Sequence, residues 1–468
     1  MAFSLRTWPS RLLTRPWLLA FVPINAATAG FGVVLPLLIL IPLHGTWANV
    51  ALAATLFNSA VILSSVAWGR LSDRYHRRRL FLVINYGGYA GLYVLLAHIS
   101  SLPELYGIYA IIGVLSPAGA SASNLLILEK FTEAERPNAF ASFQEMSMIG
   151  SVVGLVIGYF WTLANATLLT LLWILGALAL VSAIAIWYGI TEARTRATTR
   201  QVAHHPESLF SRIRTITAYR MPIPFFPHLP RLGPRPLQRL RAWARAELHH
   251  ELPLILIASF LFNLSANLFN VAYTPFLYSA GLSAAAIFLV NLSNNSAQTV
   301  IFPFTGGLSN RLGPDRLVHW ATYLRSIGYL STAAFALVVV AHGEVYSSNL
   351  AIYALLGGAI AVYTTSSSLM LFRGLVGRDA GSLLGLNSAL GGIAAVLGAG
   401  LSGVLSVYGS YRLVFLVAGG TLLVSLPLWT AASVAYSRRR FARPESRIGS
   451  VPSAPARAVD SGAAAKTP

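Results

Sequence analysis

The residues of this chain that could do chemistry fall into three sets. The first is Gly69-Arg70-Leu71-Ser72-Asp73-Arg74-Tyr75-His76-Arg77-Arg78-Arg79, one carboxylate among basic side chains, repeated in weaker form as Gly306-Gly307-Leu308-Ser309-Asn310-Arg311-Leu312-Gly313. Gly69 pairs with Gly306, Leu71 with Leu308, Ser72 with Ser309 and Arg74 with Arg311, all at one constant offset, so the two halves of the chain are related by duplication. The second set is the ionisable residues inside otherwise apolar runs, Glu145 and Arg325. The third is neutral and polar: Asn25, Thr28, Asn58, Asn124, Asn263, Asn267, Asn270, Tyr273, Asn291, Asn294, Asn295 and Gln298. Asn263, Asn267 and Asn270 recur at spacings of four and three, which stacks them on one helix face, and such a face is costly toward lipid.

Other chemistries are missing. No Gly-x-x-x-x-Gly-Lys-Ser/Thr loop is available to cradle the phosphates of ATP. No His-Glu-x-x-His or Gly-x-Ser-x-Gly arrangement occupies a plausible site, and the chain has no cysteine, so neither a hydrolase centre nor a thiolate nor a Cys-ligated metal is visible. The pairs His204-His205 and His249-His250 read as solvated side chains in a polar segment rather than metal ligands. We therefore expect no enzyme, no metal and no cofactor.

The elements that position these residues follow from composition. Of 468 residues 55% are hydrophobic and only 10% charged, against about 25% charged in ordinary soluble domains. Apolar windows of about twenty residues fall at 17–41, 47–68, 80–100, 103–127, 140–162 and 167–190, then at 253–278, 283–305, 317–341, 348–372, 383–407 and 411–435, the fourth, eighth and tenth being the least apolar. This predicts an all-α membrane protein with twelve transmembrane helices in two six-helix bundles, 17–190 and 253–435. A cytoplasmic N-terminus (1–16), a cytoplasmic insert (191–252) and a disordered cytoplasmic tail (436–468) complete the chain. The first apolar run is too long for a cleavable signal and reads as a retained span.

The net charge of +19 would suggest nucleic acid in a soluble protein. Sorted by position it does something else. With the N-terminus inside, all but two of the 34 Lys and Arg residues fall in segments on the cytoplasmic side, the exceptions being Arg325 and Arg412. The charge therefore sets orientation, with both termini cytoplasmic, and no nucleic-acid partner is expected. In the insert, Pro222, Pro224, Pro227, Pro230, Pro234 and Pro236 exclude regular structure. Beyond them Leu237, Leu240, Ala244 and Leu248 fall on one helical face away from Arg239, Arg241 and Arg245, which is either an interfacial helix against anionic lipid headgroups or a solvated linker.

The first motif with its copy between spans 8 and 9 resembles the major facilitator superfamily, whose loop between helices 2 and 3 carries Gly-x-Leu-x-Asp-Arg and a basic cluster. Glu135-Arg136-Pro137-Asn138-Ala139 before span 5 and Gly377-Arg378-Asp379-Ala380-Gly381 before span 11 extend the resemblance over 17–435. It implies two bundles that rock about a site near the midplane. It also implies a cytoplasmic latch in which Asp73 lies against the N-terminal end of helix 11, near Ser382 and Leu383, while Arg74 and Arg77 to Arg79 hold carboxylates or lipid phosphates. By symmetry the loop at 306–313 meets the start of helix 5. There Asn310 stands where an Asp would, and Arg311 either pairs with Glu145 as a second gate or leaves Glu145 at headgroup level. Gly150, Gly154 and Gly158 in span 5 and Gly391, Gly392, Gly398 and Gly400 in span 11 allow close helix approach, for sliding or for static packing.

Span 4 has no basic residue, and spans 1 and 7 have no mid-depth carboxylate, so the family's usual proton-antiport residues are missing. Uniport, or proton coupling through Glu145, remains. Arg325 reads as structural by its place in a peripheral helix. Asn25 and Asn267, at matching places in the first span of each half, offer opposed amides to a central cavity, the alternative being interhelical hydrogen bonding. The resulting expectation is a monomeric secondary transporter in the cell membrane. It would carry a small neutral or amphiphilic organic solute, as drug-type or sugar-type members do. The competing reading is a non-transporting membrane scaffold or sensor acting through the insert and tail.

Overall fold

Long apolar runs must satisfy their backbone groups internally when no water is at hand, and helices do so within one segment. The computed structural model describes residues 16–75, 77–130, 136–190, 251–336, 342–374 and 380–442. Among them are twelve α-helices of 19 to 33 residues. In the N-terminal half these are α1 (Val22–Leu40), α2 (Trp47–Tyr75), α3 (Arg78–Leu96), α4 (Leu102–Lys130), α5 (Arg136–Leu163) and α6 (Leu168–Gly189). The C-terminal half holds α7 (Glu251–Ser279), α8 (Ala284–Leu312), α9 (Pro314–Phe335), α10 (His342–Gly374), α11 (Ala380–Tyr408) and α12 (Tyr411–Ala442). A 3₁₀ turn, Pro16–Phe21, leads into α1.

Among the described residues, nine of the twelve carry a stretch long and apolar enough to cross a membrane. The other three are α4, α8 and α9. α9 carries Asp315, Arg316, His319 and Arg325 within 22 residues. Helices also run past the apolar limits. Gly69 to Tyr75 form the last turns of α2, Gly306 to Leu312 the last turns of α8, and α12 continues to Ala442. The first motif is therefore a helix end and not a loop, because beyond the hydrocarbon the chain follows helix propensity rather than hydropathy. The Pro-rich insert and its proposed interfacial helix lie outside the described residues, as do the two His pairs and the tail beyond Ala442.

The duplication is visible in the backbone. α2 and α8 each have 29 residues, and both ends of α8 follow those of α2 at the offset that separates Gly69 from Gly306. Ser283 caps α8 by accepting from the Ala286 amide, at the place of Thr46 before α2. The preceding turns hold their left-handed residues at matched positions, His44 (φ 48°) and Gly281 (φ 84°).

Packing repeats in the same way. In the first half α2 lies on α4, α3 on α6 and α4, and α1 on α5 and α6; in the second, α8 lies on α10, α9 on α12 and α10, and α7 on α11 and α12. The bundles meet along two related seams, α2 with α11 and α5 with α8. Close approach has a specific cause. A Cβ added to Gly150 of α5 would stand 2.5 Å from Val22 O and 2.8 Å from Asn25 Cβ. One added to Gly398 of α11 would stand 2.6 Å from Leu264 O and 2.9 Å from Asn267 Cβ. Val22 maps onto Leu264 by the same offset that carries Asn25 onto Asn267, so the two crossings are copies.

Candidate functional site

The contacts between bundles define where a solute could pass. On α2, Trp47 stacks on Tyr411 of α12 with ring centroids 4.5 Å apart and planes at 19°, and its Nε1 donates to Ser402 Oγ of α11 at 3.2 Å. One turn on, an added Cβ at Gly403 would meet Ala51 Cβ at 3.0 Å, and further along one at Gly392 would meet Ile62 at 2.9 Å. On the second seam Gly158 of α5 lies against the fully buried ring of Phe288 of α8. All these contacts lie between mid-seam and the end that carries the turns at His44 and Gly281.

At the other end, which carries the motif, the picture reverses. Gly69, Gly306 and Gly307 have no described heavy atom within 4 Å of an added Cβ. Leu71 is 41% exposed and Leu308 37%, and Asn310 and Arg311 are exposed. Among the described residues, then, the bundles are clamped at the turn end, while the motif glycines stand clear of the opposite bundle.

The motif residues are placed as follows. The side chains of Asp73, Arg74 and Arg136 lie outside the description although their backbones are helical, and Arg378 lies outside it entirely. Arg77 is exposed at the N-cap of α3. Arg78 and Arg79 do not project with it: Arg78 is 5% exposed and engaged within the protein. Arg79 donates to Ile190 O at 3.4 Å and covers the Trp187 ring at 4.1 Å, tying α3 to the end of α6. Glu145 is half-buried and engaged, on a helix that packs along α8.

The amides expected in the cavity divide. Asn25 Nδ2 donates to Phe21 O at 2.7 Å and Asn267 Nδ2 to Asn263 O at 2.9 Å, each to its own preceding turn. Both Asn side chains are half-buried, and they sit at duplicate crossings. Thr28 returns its hydroxyl to Ile24 O at 3.0 Å. Asn263 does likewise to Ser259 O at 2.8 Å, and its Nδ2 is 3.9 Å from the place of a Gly391 Cβ, which puts it on the α11 side of α7. Asn58 is half-buried on α2, Asn270 is exposed, and the Asn124 side chain is outside the description.

Three residues of the expected cavity set make hydrogen bonds within the C-terminal bundle. Tyr273 is buried in the C-terminal bundle, donating to Asn349 Oδ1 at 3.1 Å and stacked on Tyr353 at 4.3 Å. Asn294 donates to Tyr353 O at 2.8 Å and receives Gln298 Nε2 at 2.6 Å, so this pair links α8 to α10. Periodicity put these groups on plausible faces, but not on the neighbour each face would meet. The Trp47 and Tyr411 clamp was not anticipated. Its only signal is a large aromatic as the first residue of each helix after an uncharged or nearly uncharged turn.

The family model of the Major Facilitator Superfamily matches residues 17–373 and 255–458. The chain belongs to the major facilitator superfamily. Solved structures of this architecture superpose on it. The nucleoside transporter NupG aligns with a TM-score of 0.63 at 14% identity, covering 91% of this chain and 99% of that one. An auto-inhibited POT family peptide transporter aligns with a TM-score of 0.65 at 13% identity, covering 91% of this chain and 96% of that one. At such identities the likeness is one of fold. No curated protein sequence matches the chain. Membership in the superfamily makes this an integral multi-pass membrane protein and a transporter rather than an enzyme.

Proposed function

We propose that the protein is a secondary transporter moving a small neutral or amphiphilic organic solute by alternating access, with all twelve helices spanning the cell membrane and both termini cytoplasmic. The observation that carries the reading is the turn-end contact between the two duplicated bundles, through Trp47 and Tyr411, Ala51 and Gly403, and Phe288 and Gly158. In the proposed orientation the latch forms at the cytoplasmic end. As the motif end closes, Asp73 comes against the N-terminus of α11, where a helix dipole contributes about 0.3–1 kcal/mol at an exposed site. On the second seam Arg311 approaches Glu145 beside Asn310.

The solute class rests on the paired amides. Asn25 and Asn267 each give one N–H to their own helix, which leaves an amide oxygen and a second N–H for a ligand. Asn263 and Asn58 are the candidates to join them. Neutral hydrogen-bonding solutes fit such groups, and the nucleoside transporter among the similar structures is named for solutes of that kind. Coupling runs either by uniport or through a proton on Glu145, and the working unit is the monomer, with Arg77 available to anionic headgroups.

Counterflow in proteoliposomes against a mixed panel of nucleosides, sugars and amphiphilic drugs, with and without a pH gradient, tests this. Saturable exchange of a neutral solute, reduced by Asp73→Ala, is the expected result. Exchange of dianionic metabolites alone would overturn the solute class. No exchange across the whole panel would favour the scaffold reading.

A further inference from the structure

The polar side chains of α8 fall into two sets that packing separates. Ser293 donates to Leu350 O at 3.1 Å, Asn294 donates to Tyr353 O, and Gln298 donates to Asn294, so this set faces α10. Asn291 and Asn295 stand apart from it. Asn291 Nδ2 donates to Ile287 O at 2.9 Å and Asn295 Nδ2 to Asn291 O at 3.1 Å, both within α8. Among the described residues no other helix bonds either amide, and both side chains are half-buried.

The face these two share is set by what lies behind it. Nine residues make about two and a half helical turns, so Asn291 stands opposite Val300 and Asn295 opposite Phe304, which are 64% and 61% exposed. Polar side chains turned away from lipid face the bundle interior or a water-filled cavity. The α10 contacts of Asn294 flank this face on one side and the α5 contact of Phe288 flanks it on the other, which leaves it to the space between the bundles.

Depth agrees on both seams. Gly158 of α5 lies on Phe288, and Gly150, about 12 Å further from the turn end, lies on Asn25. The same step along α8 reaches Asn295. On the other seam Gly400 approaches Thr55 and Gly392 meets Ile62, a stretch of α2 that brackets Asn58, while Gly398 between them lies on Asn267. Asn295 is moreover the duplicate of Asn58, at the offset that separates Gly306 from Gly69. Asn25 with Asn267 and Asn58 with Asn295 are therefore two matched pairs at one level. The halves differ in what adjoins them: the duplicate of Asn291 is Ala54. The C-terminal bundle offers two amides a turn apart where the N-terminal one offers a single amide beside a methyl group.

We propose that Asn291 and Asn295 form a subsite of the central cavity that holds the hydroxyls of a sugar group, the solute being a neutral glycoside whose apolar end lies toward Ala54 of α2. The inference rests on the transport reading and names its solute class. Each amide keeps one N–H and its oxygen uncommitted, which matches a hydroxyl as both donor and acceptor, and two amides a turn apart serve two hydroxyls of one ring.

The test is counterflow in proteoliposomes of the full-length protein with uridine beside deoxyuridine, and phenyl glucoside beside phenyl deoxyglucoside. In the native chain the fully hydroxylated member of a pair should half-saturate at an about threefold to tenfold lower concentration, the worth of one neutral hydrogen bond. Asn291→Leu and Asn295→Leu should remove that preference, and Asn58→Leu should keep it. All three should unfold near the native temperature, since an amide bonded to its own preceding turn adds little to helix stability. No preference in the native chain, an unchanged preference in both α8 variants, or its loss in Asn58→Leu alone would overturn the subsite. Thermal stabilisation of the purified protein by the same pairs reads binding without exchange. The same preference in stabilisation with no exchange would fail the transport reading and keep the subsite as a binding site.

Discussion

In the N-terminal bundle Phe31 of α1 stacks on Tyr93 of α3 at 4.5 Å and meets Tyr109 of α4 at 5.9 Å. Their counterparts in the C-terminal bundle, at nearly the same offset along the chain, are Tyr273, Tyr329 and Tyr353. There Tyr273 stacks on Tyr353 at 4.3 Å, and Tyr329 joins the group through Phe269 at 3.9 Å. One frame of rings thus locks the first, third and fourth helices of each bundle. The bundles differ in what stands around it. Tyr89, 5.8 Å from Tyr93, has Arg325 as its counterpart, and Phe57, stacked on Tyr109 at 4.7 Å, has Asn294, bonded to the Tyr353 carbonyl. An uncharged ring is enough at the first of these places, so the frame does not require the cation at Arg325.

If the frame is shared, breaking it should cost the same in either bundle. Gly150→Leu and Gly398→Leu each push a side chain into a backbone carbonyl of the crossing helix, and overpacking of that kind costs about 1–3 kcal/mol. We expect both variants to lose transport and to unfold well below the native temperature, by similar amounts in a thermal shift assay. A large shift in one and none in the other would show that the crossings are not equivalent.

The frame was legible in sequence to the extent that it depends on local pattern. Apolar length found the helices, and the constant offset read from Gly69 and Gly306 reappears in the bounds of α2 and α8 and in the turns before them. Asn25 and Asn267 each lie against a glycine of the crossing helix, Gly150 and Gly398. What pattern could not supply was the partner across the interface. Asn263 and Asn267 return their amides to their own helix, Tyr273 turns into the bundle core, and Asn294 commits its donor to α10. Periodicity fixes a face but not its neighbour. The rings around Arg325 come from Phe262 of α7 and Tyr329 of α9, and no spacing rule joins residues so far apart in sequence.

The seams are where the bundles contribute unequally, since Trp47 of α2 has Ala284 of α8 as its counterpart. Trp47→Ala removes a ring stack and a hydrogen bond that exist only while the turn end is shut, a loss of about 1–2 kcal/mol from that state. The chain has no cysteine, so a single introduced thiol reports directly. Ala51→Cys, at a position 1% exposed, should resist a membrane-impermeant maleimide in the native background. It should react about tenfold faster beside Trp47→Ala. Equal labelling in both backgrounds would mean that the clamp does not hold the bundles together. Within the C-terminal bundle, Tyr273→Phe should cost about 1 kcal/mol by removing the buried hydrogen bond to Asn349 Oδ1. The counterpart Phe31 has no hydroxyl to lose, so Phe31→Tyr should give no matching gain when the two are compared by thermal unfolding.

The smallest expected effect is the most informative about the solute. An Asn that bonds its own preceding turn adds little to helix stability, so Asn25→Ala and Asn267→Ala should each leave the unfolding temperature nearly unchanged. If the two amides face one solute from opposite bundles, each substitution removes a single neutral hydrogen bond from the bound state. Half-saturation in counterflow should then rise about threefold to tenfold in each, with the double variant close to the product of the two. A change confined to one variant would place the solute within a single bundle. A change in neither would leave both amides to the helix crossings beside Gly150 and Gly398, and the solute would have to be sought along α2 and α7, at Asn58 and Asn263.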